Sequence, residues 1–302
     1  MSNQGPGNNP VRGVWQGLAV NFLLAVVKIA TGIFGHTYAL IADGIESTLD
    51  IFSSIVVLSG LKIGAIPPDR DHPFGHGKAE SLAAMLVSLA LLAAAGGIAA
   101  GSLKEIAHPT QTPAPFTLFV LVGVIIAKEF LFRRLIHVGK HAHSLSVQVD
   151  AWHHRSDAMT SLAALVGISI VLFGGDRFKG ADDWAALLAS IIIGYNGISL
   201  LNMAVREIMD AAPDPAIVNA VRNVATSVEG IRGIEKCRVR KSGTQYFVEI
   251  HVEVDGSMTV LASHELGHQV KDKLIASSLP LADVVVHIEP AGLTPRPDAL
   301  LS

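Results

Sequence analysis

A single cysteine, Cys237, stands among 302 residues. One thiol cannot build an intrachain disulfide framework or a multi-cysteine metal cluster, so any metal must be held by histidines and carboxylates. The thiol itself reads as a small residue in a strand. Charge is also low: 16% of residues are Asp, Glu, Lys or Arg, against about 25% in an ordinary soluble domain. Half of the chain is hydrophobic and the mean hydropathy is +0.46, which argues against a purely soluble globular protein. A net charge of -3 leaves no large basic surface, so nucleic acid is not an expected partner. The first ten residues have neither a basic n-region nor a small-residue cleavage site, and read as part of a disordered tail over 1–13, not as a signal peptide.

The scarcity of charge is uneven. Residues 1–204 hold 26 of the 49 charged side chains, and the last 98 residues hold the other 23. This predicts a membrane domain followed by a soluble one. A helix needs about 20 apolar residues to cross the hydrocarbon, and six such spans are expected: 14–34, 38–61, 82–103, 116–135, 145–173 and 184–205. The third has no charge, whereas Lys128 and Glu129 interrupt the fourth. With the N-terminus inside, Arg70, Lys78, Arg133, Arg134 and Lys140 fall in inner loops, against Lys104, Arg177 and Lys179 outside. That bias places both termini in the cytoplasm.

The transport domain is thus expected over 14–210. Ala211-Ala-Pro-Asp-Pro215 has the chemistry of a linker running into a helix start. A helix over 216–228, strands over 234–241 and 245–254, a helix over 260–277 and a strand over 283–288 follow. Their αββαβ order, with Ser242-Gly243 at the hairpin turn, predicts a small two-layer α+β domain over 211–290, with a C-terminal tail over 291–302.

An ionisable residue inside a membrane span is expensive, and marks a functional site by default. The second span carries Asp43, Glu46 and Asp50. Glu46 and Asp50 are four apart and share one helix face. The fifth span repeats that spacing with His153 and Asp157. If the two helices face each other, one imidazole and three carboxylates converge on a divalent transition metal, with tetrahedral Zn2+ as the first expectation. The alternative is structural, with these carboxylates paired to Arg155 or Lys128 to fix helix register. His154 reads as a packing or gating residue, Asp43 as a structural or proton-handling group, and Lys28 as a solvated or snorkelling charge.

Two further clusters lie outside the spans. In the loop after the second span, Asp69, His72 and His76 offer one oxygen and two nitrogens within eight residues, a set that suits a second Zn2+ or is simply a polar loop. In the C-terminal domain His264 and His268 are four apart on one helix, while His251 and His287 lie on strands that can run side by side. These are a metal site at a dimer interface or ordinary surface histidines.

Three segments resemble the cation diffusion facilitator family, and within it the bacterial ferrous-iron and zinc efflux branch. They are Ala39-Leu-Ile-Ala-Asp-Gly-Ile-Glu-Ser-Thr-Leu-Asp50, Asp71-His-Pro-Phe-Gly-His-Gly-Lys-Ala-Glu-Ser81 and Asp150-Ala-Trp-His-His-Arg-Ser-Asp157. The resemblance implies a homodimer in the cell inner membrane, with six helices and a metallochaperone-like cytoplasmic domain per protomer. It implies export of divalent metal in exchange for protons, with the metal as substrate and regulator (Zn2+, or Fe2+, Cd2+, Co2+ or Mn2+) and no other cofactor. By motif, Glu46, Asp50, His153 and Asp157 form the transport site. Asp69, His72 and His76 form the loop site, and His251, His264, His287 and Glu289 the cytoplasmic site. Lys78 and Asp210 match a salt bridge that holds the dimer at the membrane surface.

Two positions depart from the family pattern: Glu46 stands where Asp or His is usual, and Glu235 replaces a histidine. Ligands must shed protons to bind metal, so metal and protons compete, with His153 as the main proton carrier. A membrane-bound zinc enzyme or a metal sensor is the other reading. Such an enzyme needs an open metal position and a nearby general base.

Overall fold

A computed structural model describes residues 10–107, 113–141, 145–174, 178 and 180–292. The side chains of 10–18, 135 and 138–154 are outside that description, as is that of 156. Among the expectations, those on Lys140, His153, His154, Arg177, Lys179 and the terminal tails therefore lie outside the described residues.

Six long helices come first: α1 (Pro10–Phe34), α2 (Tyr38–Gly64), α3 (Lys78–Ala107), α4 (Phe116–His141), α5 (Leu145–Gly174) and α6 (Ala181–Ile208). Then follow α7 (Pro215–Thr226), β1 (Gly233–Ser242), β2 (Gln245–Val254), α8 (Val260–Ile275) and β3 (Leu281–Pro290). The expected architecture is present. Its helices overrun the apolar spans, with α3 starting at Lys78 instead of Leu82 and α4 reaching His141 instead of Leu135. Backbone hydrogen bonding does not stop where hydrophobicity does, and Lys, Glu and Arg are good helix formers.

Among the described residues, α3, Asp157–Gly174 of α5, and α6 are long and apolar enough by composition to cross a membrane, while α1 contributes the shorter run Ala19–Phe34. The carboxylates of α2 and the charges of α4 break up their apolar runs.

The chain divides into two compact units. One contains 1–56 and 86–201, the other 57–85 and 202–302. The second therefore holds the ends of α2, α3 and α6 as well as the α+β domain.

In the first unit, small residues bring helices close, as membrane packing requires. A Cβ on Gly32 would lie 2.7 Å from Ile41 Cγ1, and one on Gly44 would lie 2.6 Å from Ile29 Cγ1. The α1–α2 crossing thus depends on a glycine from each helix. Leu40, Leu121, Ile168 and Ala186, all fully buried, belong to one interior cluster. Large apolar side chains point outward, with Phe119, Phe173 and Tyr195 more than 70% exposed. Such a surface is a liability in water and suits hydrocarbon.

In the second unit the sheet order is β1-β2-β3. β1 and β2 are antiparallel, with Ser242 opposite Gln245 across a tight turn. Gly243 takes a positive φ of 62° there, which glycine adopts at no steric cost. β3 runs parallel to β2 after the α8 crossover. Asp214 and Thr259 cap α7 and α8 by accepting from Ala216 N at 2.8 Å and Ala262 N at 3.2 Å.

Val248, Ile250, Val252 and Val254 alternate along β2 into a core shared with Val221 of α7 and with Leu266, Val270 and Leu274 of α8. Phe247, Glu249, His251 and Glu253 therefore point to the opposite face of the sheet. A register shift between Ile234 and Lys236 makes a bulge at Glu235.

Candidate metal centres

In the membrane unit the carboxylates of α2 and α5 meet cations supplied by α1 and α4. Lys28 Nζ lies 2.9 Å from Asp43 Oδ1 and donates to Ser47 Oγ at 3.1 Å, while Ser161 Oγ donates to Asp43 Oδ2 at 2.7 Å. Lys28 is fully buried, so it is neither solvated nor snorkelling, contrary to expectation. An ammonium in hydrocarbon needs a counter-charge, and Asp43 supplies one.

Lys128 Nζ donates to Asp157 Oδ2 at 2.5 Å and to Asn21 Oδ1 at 2.9 Å. Arg155 places its guanidinium 4.9 Å from the Phe132 ring centroid. Glu46 is half-buried and within electrostatic reach of Asp43, Asp50 and Asp157. A cavity of ≈ 580 Å³ among α2, α5 and α6 is lined by Asp43, Glu46, Thr160 and Trp184. Glu46, Asp50 and Asp157 are thus gathered in one region. The His153 side chain lies outside the described residues.

The loop cluster is tighter. Asp69 Oδ1 accepts from the backbone N–H of Asp71 at 2.9 Å and of His72 at 2.7 Å, an Asx turn that fixes the carboxylate. His72 Nδ1 lies 3.4 Å from Asp69 Oδ1, and His76 Nε2 lies 3.5 Å from Oδ2. The imidazole centroids are 4.3 Å apart. One donor atom from each of the three side chains falls within 4.8 Å of the others. The His72 N–H bond, ahead of every other influence, holds the Asp69 carboxyl below its usual range, so this ligand is ionised at neutral pH. His76 Nδ1 is buried with no hydrogen-bond partner.

The same pattern recurs on the open face of the sheet. His251 and His287 are register partners on β2 and β3, with ring centroids 4.7 Å apart. Glu289 Oε1 lies 3.0 Å from His287 Nε2 and 3.4 Å from His251 Nδ1. The three offer donor atoms within 4.8 Å of one another. The bulge brings Glu235 Oε2 to 3.5 Å from His251 Nδ1. That nitrogen is buried and makes no hydrogen bond. Carboxylates surround it without satisfying it, an arrangement that a cation completes.

Within one chain His264 stands apart from this trio. Its Nε2 is 3.1 Å from that of His268 on the exposed side of α8, and the buried Leu266, Val270 and Leu274 turn that helix's other side to the sheet.

The resemblance implied a Lys78–Asp210 salt bridge at the dimer, and within one chain these two side chains are in contact. Lys78 Nζ lies 2.6 Å from Asp210 Oδ1 and donates to the carbonyl of Glu207, also at 2.6 Å. It thereby caps the C-terminal end of α6. Arg240 lies 3.2 Å from Asp210 Oδ2, and Lys241 lies 3.0 Å from Glu207 Oε2. Against the upward push of partial burial, Lys78 and then Arg240 hold the Asp210 carboxyl below its ordinary value. The hairpin turn comes so close to the loop that a Cβ on Gly77 would lie 2.5 Å from Ser242 Oγ and 2.7 Å from its carbonyl oxygen.

The Lys128–Asp157 pair is one of the structural alternatives the sequence offered; missed from sequence were the Lys28–Asp43 and Lys128–Asn21 contacts and the role of Glu207. The one available signal was a lone lysine in each of two apolar runs.

Residues 14–209 match the cation efflux transmembrane domain and residues 213–291 match the cation efflux protein cytoplasmic domain. Metal tolerance protein 2 of Oryza sativa subsp. japonica is 32% identical over 300 residues, which cover 90% of this chain and 76% of that protein. The cation-efflux pump FieF of Pectobacterium atrosepticum is 30% identical, covering 92% of each chain. The manganese efflux system protein MneP of Bacillus subtilis is 28% identical, covering 90% of this chain and 93% of the relative.

Proposed function

The chain belongs to the cation efflux family of divalent-metal transporters, and we propose that it exchanges cytoplasmic metal for protons, with Glu46, Asp50, His153 and Asp157 as ligands of the transported ion. The observation that carries this reading is the gathering of Glu46, Asp50 and Asp157 inside a bundle of membrane helices, beside a cavity that reaches Glu46. Charges so placed are costly unless they serve an ion.

Three oxygens and one nitrogen suit Zn2+ and leave room for the harder Mn2+ and Fe2+. One relative is named for manganese efflux. Membership of this family places the chain among transporters and not enzymes.

On the inward side the ligands shed protons to take up metal, and on the outward side they regain protons and release it. Both termini are cytoplasmic and the protein works as a homodimer. The Asp69 and His251 clusters hold regulatory metal, and their orphaned ring nitrogens are the structural support for that role. Metal bound in the C-terminal domain then biases the transport cycle by linkage.

The test is flux in proteoliposomes with an imposed pH gradient, across Zn2+, Fe2+, Mn2+, Cd2+ and Co2+. Asp50→Ala and Asp157→Ala are expected to abolish uptake into inside-out vesicles while dimerisation persists. Wild-type rates in either variant would remove these residues from the transport site, and flux indifferent to the gradient would remove the coupling.

A further inference from the structure

Lys128 lies on α4 with its side chain 1% exposed, and its ammonium is on the very carboxylate, Asp157 Oδ2, that the transport reading assigns to the metal. We propose that Lys128 is a built-in counter-cation: it holds Asp157 while the site is without metal, is displaced when the ion binds, and takes the carboxylate back when the ion leaves. This rests on the reading of Asp157 as a ligand of the transported ion.

One physical argument and two observations support it. A metal and an ammonium compete for the same carboxylate oxygen, because like charges at contact repel strongly in a low dielectric. Lys128 also has somewhere to go, since Asn21 Oδ1 on α1 accepts from the same Nζ at 2.9 Å and keeps a hold on it when Asp157 is surrendered. Lys28 provides the contrast. Its partner Asp43 has one oxygen on Lys28 and the other on Ser161, a closed network that ties three helices together and lies outside the assigned ligand set. The lysine that faces a ligand is the one positioned to exchange with cargo.

Charge balance agrees. Glu46, Asp50 and Asp157, when ionised, together with a protonated Lys128 leave two net negative charges, the amount a divalent cation cancels.

The consequence is a split between affinity and turnover. In full-length protein reconstituted in liposomes, at one fixed pH gradient with Zn2+ as the probe, Lys128→Gln removes the competitor. The half-saturating Zn2+ concentration is expected to fall at least about fivefold, because nothing has to be displaced. Maximal flux is expected to fall by a similar factor, because the ammonium that takes the carboxylate back on release is gone. Lys128→Arg should act in the opposite sense on affinity. Its planar guanidinium grips a carboxylate with two hydrogen bonds, so half-saturation should rise.

A residue that only fixed helix register would not give opposite shifts. A Gln variant with unchanged or weaker Zn2+ affinity overturns the proposal. Should that variant not fold, the Arg variant decides alone, and an unchanged half-saturation there overturns it. Asp157→Asn, measured alongside, separates the two readings. If it transports Zn2+ normally, the ligand assignment itself fails. If it abolishes flux while the Lys128 variants behave as wild type, only the counter-cation is lost.

Discussion

Glu235 shows how much one backbone irregularity changes at the scale of a single residue. In a regular ladder, side chains alternate between the two faces of the sheet. The shift between Ile234 and Lys236 makes an extra position on β1 and brings the carboxylate 3.5 Å from His251 Nδ1. Glu235 is thus aimed at the cluster. Glu235→Gln keeps the shape and removes the charge. It should weaken Zn2+ binding at this cluster about 10- to 100-fold if the carboxylate ligates or orients a ligand. Equilibrium dialysis on the full-length chain would show it, and an unchanged affinity would make Glu235 an ordinary surface acid. Cys237, two residues on, needs no such role. It is buried in the core, and burial pushes its thiol up, which fits its reading as a small strand residue.

At the scale of elements, hydropathy and turn chemistry expressed nearly everything. The αββαβ order, the Pro-containing start of α7 and the span of β2 were all legible, because each depends on neighbours in the chain. What was hidden depends on residues far apart in sequence. Lys28 taken alone is a charge in an apolar run, and only the α1–α2 crossing brings Asp43 to it. Lys128 was legible as a potential partner of the carboxylates, but Asn21 was not. That crossing makes its own demand. Gly44→Val drives a branched side chain onto Ile29 Cγ1 and its backbone nitrogen, at 2.6 and 3.0 Å from the first added carbon. A cost of about 1–3 kcal/mol is expected for such overpacking, read as lower thermal stability of the purified protein. Gly97→Ala is the control. Nothing lies within 4 Å of its Cβ, and replacing a mid-helix glycine should stabilise by roughly 0.5–1 kcal/mol.

At the scale of the whole molecule, the matched family domains part between residues 209 and 213, and compactness adds neighbouring helix ends to the second. The ends of α2, α3 and α6 belong with the α+β domain, and Lys78, Glu207, Asp210 and Arg240 show why. Composition locates a change of solvent, whereas ion pairs and a helix cap decide which segments pack together. The pairs are partly exposed, so each contributes only about 0.2–1 kcal/mol. Their pH dependence has a definite sign. Asp210 lies below its unfolded value, so its contribution is complete above about pH 4 and lost as pH falls through the folded value. Thermal melts of wild type and Asp210→Asn should differ by a constant amount from about pH 5 to 8 and converge in stronger acid. A gap that opened only near neutrality would implicate a histidine instead.

The approach of Gly77 to Ser242 has a mechanical meaning. With 2.5 Å between a hypothetical Cβ and Ser242 Oγ, the loop and the hairpin turn meet without clearance, like two machined faces. Any residue larger than glycine at 77 would act as a shim, so the thickness of one side chain sets the gap there. A graded series from Ala to Val to Leu at that position would turn a single methyl group into a gauge of how much play the joint between loop and hairpin can absorb.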